Sequence, residues 1–310
     1  MLAQLGAVRD FGEDWIFERK LDGIRMLASR TQDGHVELWS RTGRRLNATY
    51  PEAAAALEEQ PCPDLVVDGE VVAMRRGRTD FALLQQRSGL TDPAAVRASG
   101  VTVTYYLFDL LRLGGLDTTA LPQRARKALL RDALDFRAPL RFTPHRNHGG
   151  RELLDQACGR GWEGLIAKRA SAPYTHRRSP NWLKLKCAAG QELVVGGFTE
   201  PAGNRVGFGA LLVGYHEGGR LRYAGKVGTG YDTRTLRSLR ERLDALAADR
   251  SPFADPVRER TARWARPELV AQVAFTEWTR DGRLRHPRFL GLREDKSAGE
   301  VTRETPARGR

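Results

Sequence analysis

The chain has 310 residues and carries 51 Lys and Arg against 38 Asp and Glu, a formal charge of +13 that favours a polyanionic partner. At 41% hydrophobic it can build ordinary cores, and a prior of about 150 residues per domain gives two. The composition excludes a membrane span, since no apolar run reaches roughly 18 residues, and a disulfide scaffold or cysteine zinc site, since Cys62, Cys158 and Cys187 are odd in number and contain no CxxC.

In chain order, the start MLAQLGAVRDFGEDW carries acids where a signal peptide places its apolar core. WIFERKLDGIRMLASR (15–30), HVELWSR (35–41), PDLVVDGEVVAM (63–74) and VTVTYYLFDLL (101–111) have the Val, Ile, Leu, Tyr and Phe content of strands. YPEAAAALEEQ (50–60), LPQRARKALLRDALDF (121–136) and RELLDQACGRG (151–161) read as helices, and GLIAKRA (164–170) and NWLKLKC (181–187) as two more strands. The alternation is not strict enough for a doubly wound sheet, so an α+β layered domain is expected over 1–187. From CAAGQE (187–192), read as a hinge, the character changes. ELVVGGF (192–198), GALLVGYHE (209–217), RLRYAGKVG (220–228) and LVAQVAFTEWT (269–279) predict short strands around one helix, TRTLRSLRERLDALAADR (233–250). Residues 251–267 read as a loop. This pattern fits a small barrel of OB type over 188–310.

Lysine appears seven times, at 20, 127, 168, 184, 186, 226 and 296, so 44 of the 51 basic residues are arginine. Where arginine supplies nearly every generic cation, the surviving lysines are candidates for lysine's own chemistry, because a guanidinium stays protonated. Lys20 ends an apolar run in Glu18-Arg19-Lys20-Leu21-Asp22-Gly23-Ile24-Arg25. Neighbouring cations or burial are expected to lower its pKa, as a covalent nucleophile requires. Lys184 and Lys186 lie two apart and face the same side of a strand, where a phosphate would relieve their repulsion. Glu70 and Glu163 stand at strand ends and offer hard oxygen ligands for Mg²⁺. The six histidines show no pairing at ligand spacing and read as surface or corner residues.

The ordered set KLDGIR (20–25), SRTGR (40–44), DGE (68–70), YYLFDLL (105–111), EGLIAKR (163–169), WLKLK (182–186) and LRHPRFLGLREDK (284–296) resembles the ATP-dependent DNA ligases. Within these covalent nucleotidyltransferases, it is most similar to the ligase module of bacterial end-joining ligases. The resemblance implies an adenylation domain followed by an OB-fold domain, with ATP and Mg²⁺ or Mn²⁺ as cofactors. It implies that Lys20 attacks the α-phosphorus and holds AMP, with Leu21 beside it. Glu18 would read adenine, Phe108 would stack on it and Glu70 would hold the ribose. Arg25 and Arg41 would meet the adenylate and nick termini, Glu163 and Glu70 the metal, Lys184 and Lys186 the α-phosphate. Arg178 would serve AMP or the 5′-phosphate, and Arg293, Asp295 and Lys296 the leaving pyrophosphate. Nicked or broken double-stranded DNA is the implied substrate, a Ku-type DNA-end-binding protein the implied partner, and the bacterial cytoplasm and nucleoid the implied location of a monomer.

Two departures stand out. Arg177 occupies a position where the family usually shows glycine, which leaves Arg177 and Arg178 as rivals for one role, with the spacing to Trp182 favouring Arg178. The nucleophile lies twenty residues from Met1, so a minimal catalytic core is expected, without the N-terminal DNA-binding domain of larger ligases. The competing readings are an RNA ligase or capping-type nucleotidyltransferase, and a non-catalytic basic nucleic-acid-binding protein.

Overall fold

The computed structural model describes residues 1–7, 10–62, 64–187 and 190–304. They divide into a first unit ending at Cys187 and a second ending at Glu304. Two sheets make up the first unit. One runs in the order β1 (Leu2–Leu5), β12 (Arg178–Lys186), β11 (Gly164–Arg169), β2 (Trp15–Arg19) and β10 (His145–Arg146). The other runs β4 (Val36–Ser40), β3 (Ile24–Arg30), β5 (Leu65–Arg75), β7 (Val103–Leu113) and β8 (Leu116–Asp117). On this second sheet β6 (Arg78–Thr79) joins β5 and β9 (Leu140–Phe142) joins β7.

The single apolar run predicted over 15–30 is therefore two strands in different sheets, and Lys20–Gly23 carries the chain between them. The sequence pattern hides this because both strands are apolar and only four residues separate them. Gly23 is forced by proximity: a Cβ there would lie 2.2 Å from the Val71 carbonyl oxygen on β5.

Helices α1 (Pro51–Glu58) and α4 (Gln123–Ala133) cover the second sheet, burying Ala53, Leu57 and Leu130 with Met26, Leu38, Val67 and Tyr105. α5 (Gly150–Gly159) covers the first sheet, setting Leu154 and Ala157 on Phe17, Leu165, Leu183 and Leu185. Met1, Leu111, Tyr174 and Trp182 form a smaller core with Leu27, Val66 and Phe108. Two short helices escape the sequence pattern, α2 (Phe81–Gln85) and α3 (Pro93–Ala98). They are too brief for periodicity and are started by caps: Asp80 accepts from the Leu83 amide at 2.9 Å and Asp92 from the Ala95 amide at 2.8 Å.

In the second unit β15 (Arg220–Val227), β14 (Leu211–Glu217), β13 (Gly190–Thr199), β17 (Ala262–Ala265) and β16 (Ala247–Ala248) follow in order. β13 also pairs β18 (Val270–Ala274), which pairs β19 (Arg288–Leu292), so the sheet curls around β13. Helix α6 (Thr233–Ala245) buries Leu236, Leu239 and Leu243 against it. Two expectations need correction here. The helix expected to 250 stops at Ala245, where β16 begins two residues later, and the expected loop 251–267 contains β17. Both short strands are alanine-rich, two and four residues long, and too brief for an alternating pattern.

The cysteine reading also needs correction, because Cys158 and Cys187 form a disulfide with their Cα atoms 5.3 Å apart. They are 29 residues apart in sequence, and spacing alone could not show that the β11–β12 hairpin returns the chain to the end of α5. Cys62 remains as a buried free thiol. Of the expected hinge, Ala188 and Ala189 lie outside the described residues. Among the described residues no helix is long and apolar enough to cross a membrane.

Candidate active site

Strands β2, β11 and β12 are neighbours, so their register decides which side chains share a face. Glu18 opposes Ile166, which opposes Lys184, and Lys168 opposes both Ile16 and Trp182. The Lys20 amide donates to the Gly164 carbonyl at 2.9 Å, and Gly164 opposes Lys186. Opposed residues of adjacent strands project to the same side. Glu18, Lys168, Lys184 and Lys186 therefore share one face, and Lys20 continues the alternation of Glu18.

Lys20 Nζ lies 2.5 Å from Glu163 Oε2. Burial pulls the lysine pKa down, but the Glu163 carboxylate, helped by Asp22 and Glu70, outweighs burial and raises it. This corrects the expectation of a lowered pKa, and the reason is Glu163, which sequence spacing did not place against Lys20. Glu70 opposes Arg25 on β3 and Tyr106 on β7, at the facing sheet.

Glu18 is 3% exposed, with Lys127 Nζ 2.6 Å from one carboxylate oxygen and Lys168 Nζ 2.7 Å from the other. Burial would raise its pKa, yet the two ammonium groups hold it below the usual carboxylate range. Lys127 reaches this spot from α4 and also donates to the Thr143 carbonyl at 2.8 Å. Lys168 lies 4.4 Å from the Phe108 ring centre and 4.1 Å from that of Trp182. Burial, and then Lys127, lower its pKa to about 8 against the pull of Glu18. Two lysines and one carboxylate leave this buried cluster with one surplus positive charge.

A description of ATP dependent DNA ligase domain fits residues 1–186, and one of ATP dependent DNA ligase C terminal region fits residues 204–296. The chain belongs to the ATP-dependent DNA ligases. Its first unit is the ligase adenylation domain and its second the OB-fold domain. It is 42% identical to the multifunctional non-homologous end joining protein LigD of Pseudomonas aeruginosa over 303 residues, covering 95% of this chain and 35% of that protein. To LigD of Mycobacterium tuberculosis it is 38% identical, covering 98% of this chain and 39% of the relative. The chain thus spans somewhat over a third of the length of these relatives. Among solved structures it matches a mycobacterial DNA ligase D complexed with ATP and MES, with 34% identity, a TM-score of 0.66 and 98% of each chain covered. The ligase domain of M. tuberculosis LigD matches with 35% identity and a TM-score of 0.50 over 98% of each chain.

Of the expected site residues, Lys20, Glu18, Lys184 and Lys186 share one sheet face, and Glu163, just before β11, meets Lys20 there. Leu21 follows Lys20 in the crossing segment, and Phe108 packs edge-on against Trp182, ring centres 5.8 Å apart. Arg25 is drawn into a different set of contacts. Its guanidinium grips Asp68 at two points, 2.9 and 2.5 Å, and also donates to the Tyr174 hydroxyl and the Met1 carbonyl. Arg41 is half-buried just past β4. Arg178 is exposed at the start of β12, and donates to the Ala3 carbonyl at 2.8 Å. In the second unit Arg293 is held by Asp295 through two bonds of 2.9 and 2.8 Å, and Lys296 lies 3.3 Å from Glu192.

Sequence reasoning missed Lys127, Arg126 and Tyr174. Arg126 is fully buried and grips Asp109 at 2.7 and 3.0 Å, which fixes the strand that carries Phe108. The scarcity of lysine was a usable signal for Lys127; nothing comparable marked the other two. For a divalent cation the donor set is Glu163 and Glu70, two carboxylates that both act on the Lys20 ammonium. Magnesium uses one or two carboxylates together with substrate phosphates, so these residues fit it. Among the described residues no group of three or more His, Cys, Asp or Glu would hold a metal by itself.

Proposed function

We propose that this chain seals breaks in double-stranded DNA that carry a 5′-phosphate and a 3′-hydroxyl, working through a Lys20–AMP adduct, in end-joining repair. The observation that carries the reading is Lys20 paired with Glu163 on the face that also holds Lys184 and Lys186. In the first step Lys20 Nζ, having given up a proton, attacks the α-phosphorus of ATP. The new N–P bond replaces the bond to pyrophosphate, which leaves with the electron pair. Lys184 and Lys186 offset the negative charge that builds on the α-phosphate, where positioning and neutralisation matter more than proton transfer. The 5′-phosphate then takes AMP from the lysine, and the 3′-hydroxyl displaces AMP to close the strand.

Lys20 must first lose the proton that its contact with Glu163 stabilises. A divalent cation held by Glu163 and Glu70 would supply charge neutralisation at the phosphates. Engaging Glu163 in this way also weakens its hold on the Lys20 proton. Glu18 would read the adenine amino group: an ionised carboxylate accepts from that donor and repels the carbonyl oxygen of guanine. The pyrophosphate roles of Arg293, Asp295 and Lys296, and recruitment by a Ku-type end-binding protein in a bacterial cytoplasm, belong to the same proposal by resemblance.

The test is incubation with α-labelled ATP and magnesium, a denaturing gel, and a nicked-duplex sealing assay. A labelled band is expected for the wild type and none for Lys20→Arg, since the guanidinium keeps its proton. A band that survives in Lys20→Arg overturns the assignment, and labelling without sealing of DNA overturns the substrate.

A further inference from the structure

Beside Lys20, on the opposite face of β2, lies a group of cations that the adenylation chemistry leaves unused. Arg19 opposes Leu165 and stacks its guanidinium 4.7 Å from the Trp162 ring centre. The Arg160 guanidinium lies 5.5 Å from the same ring. Arg78, at the β5–β6 turn, leans over Gly161 so closely that a Cβ there would fall 2.7 Å from its guanidinium carbon. Three arginines thus converge on the loop Arg160-Gly161-Trp162, immediately before Glu163.

Their charges are not answered by protein. Among the described residues no carboxylate pairs with Arg19, Arg78 or Arg160. The Nε and Nη2 atoms of Arg19 are buried with no hydrogen-bond acceptor. Buried donors of this kind cost free energy unless an acceptor arrives. Arg19 and Arg160 flank one indole, Arg78 adds a third like charge at Gly161, and neighbouring Tyr106 offers Arg19 only a phenol. An anion that is extended and repeats its charge relieves all three at once. Arginine forks match phosphate oxygens, and their stacking on tryptophan fixes the forks in advance.

We propose that Arg19, Arg78, Arg160 and Trp162 form a contact site for the phosphodiester backbone of the DNA substrate, next to the adenylation site. The proposal rests on the reading that this chain acts on DNA. The site places backbone phosphates beside Glu163 and Lys20 and so helps bring a strand end to the adenylated lysine. Contacts of this kind to the phosphodiester backbone position the duplex and carry no sequence information.

The experiment measures equilibrium binding of a labelled nicked duplex by fluorescence anisotropy over a series of KCl concentrations, without ATP, and self-adenylation on the same preparations. Arg78→Gln, Arg160→Gln and the double variant are compared with the wild type. Arg19 is kept intact because it adjoins Lys20. Each single variant is expected to lose about three- to tenfold in DNA affinity at low salt. The slope of log affinity against log salt should shrink by about 0.9 per arginine removed, and Arg160→Lys should recover much of it. Self-adenylation with ATP should stay within twofold of wild type. Unchanged affinity and slope in the double variant, with the wild type binding normally, overturns this inference alone. A fall in self-adenylation with DNA affinity intact also overturns it and assigns the arginines to the phosphates of ATP. A wild-type chain that does not bind nicked DNA overturns the proposed function itself.

Discussion

Between pH 7 and pH 9.5 the buried Lys168 gives up its proton in the folded protein, where its pKa is about 8, while the unfolded chain keeps it to about 10.5. The folded pKa of this base is lowered, so in that window the unfolded state binds more protons and stability rises with pH. With those two values the gain from pH 7 to 9.5 is about 2 kcal/mol. Lys168→Met should abolish the rise. Lys127→Met should shrink it, because removing the neighbouring ammonium takes away one cause of the lowered pKa and lets Lys168 recover toward its ordinary value. Breaking this contact also strips a partner from the buried Glu18, at about 3 kcal/mol. The assay is urea unfolding of the three proteins at several pH values, read as the change in each protein's own midpoint. A wild-type midpoint that is flat or falls over this range, in parallel with Lys168→Met, would refute a surplus charge in the Glu18–Lys127–Lys168 cluster.

Gly23→Ala should destabilise the first unit by about 3 kcal/mol, since its methyl group meets the Val71 carbonyl at 2.2 Å; thermal unfolding checks this. Glu163→Gln removes the charge that raises the Lys20 pKa, so burial prevails and the pH profile of self-adenylation should move to lower pH even as its maximum falls. A profile that stays in place would separate Glu163 from the ionisation of Lys20. Cys187→Ser opens a loop of 29 residues, and chain entropy puts the loss at about 3 to 4 kcal/mol. Dithiothreitol should bring the wild type down to the level of the variant in urea unfolding, and leave the variant unchanged.

Much of the site was legible because it lies on strands. The two-residue spacing of Lys184 and Lys186, and that of Glu18 and Lys20, is set by the pleat, so register carries them to one face once β2, β11 and β12 are neighbours. The α+β layering of the first unit and the short strands around one helix in the second followed from composition and turns. What escaped was whatever depends on contacts distant in sequence. The Glu163–Lys20 pair reverses the expected direction of the lysine pKa, and nothing in either motif alone shows which carboxylate meets the ammonium. The scarcity of lysine marked Lys127, but no motif contains it, and only the packing of α4 shows that it turns inward to Glu18. The run 15–30 conceals a change of sheet because hydrophobic pattern reports burial and not which neighbour a strand chooses. An odd cysteine count without CxxC gave no sign of the Cys158–Cys187 pair, which a hairpin brings together in space.

That disulfide makes residues 158–187 a covalent ring, and the ring contains Glu163, Lys168, Arg178, Lys184 and Lys186. A protease that cuts the exposed turn at Arg177 would leave both fragments linked. On a gel run without reductant the nicked protein would travel as one species, and its site would keep every group the ring carries. Only reduction would release the pieces, so for this ligase an intact band is no proof of an intact backbone.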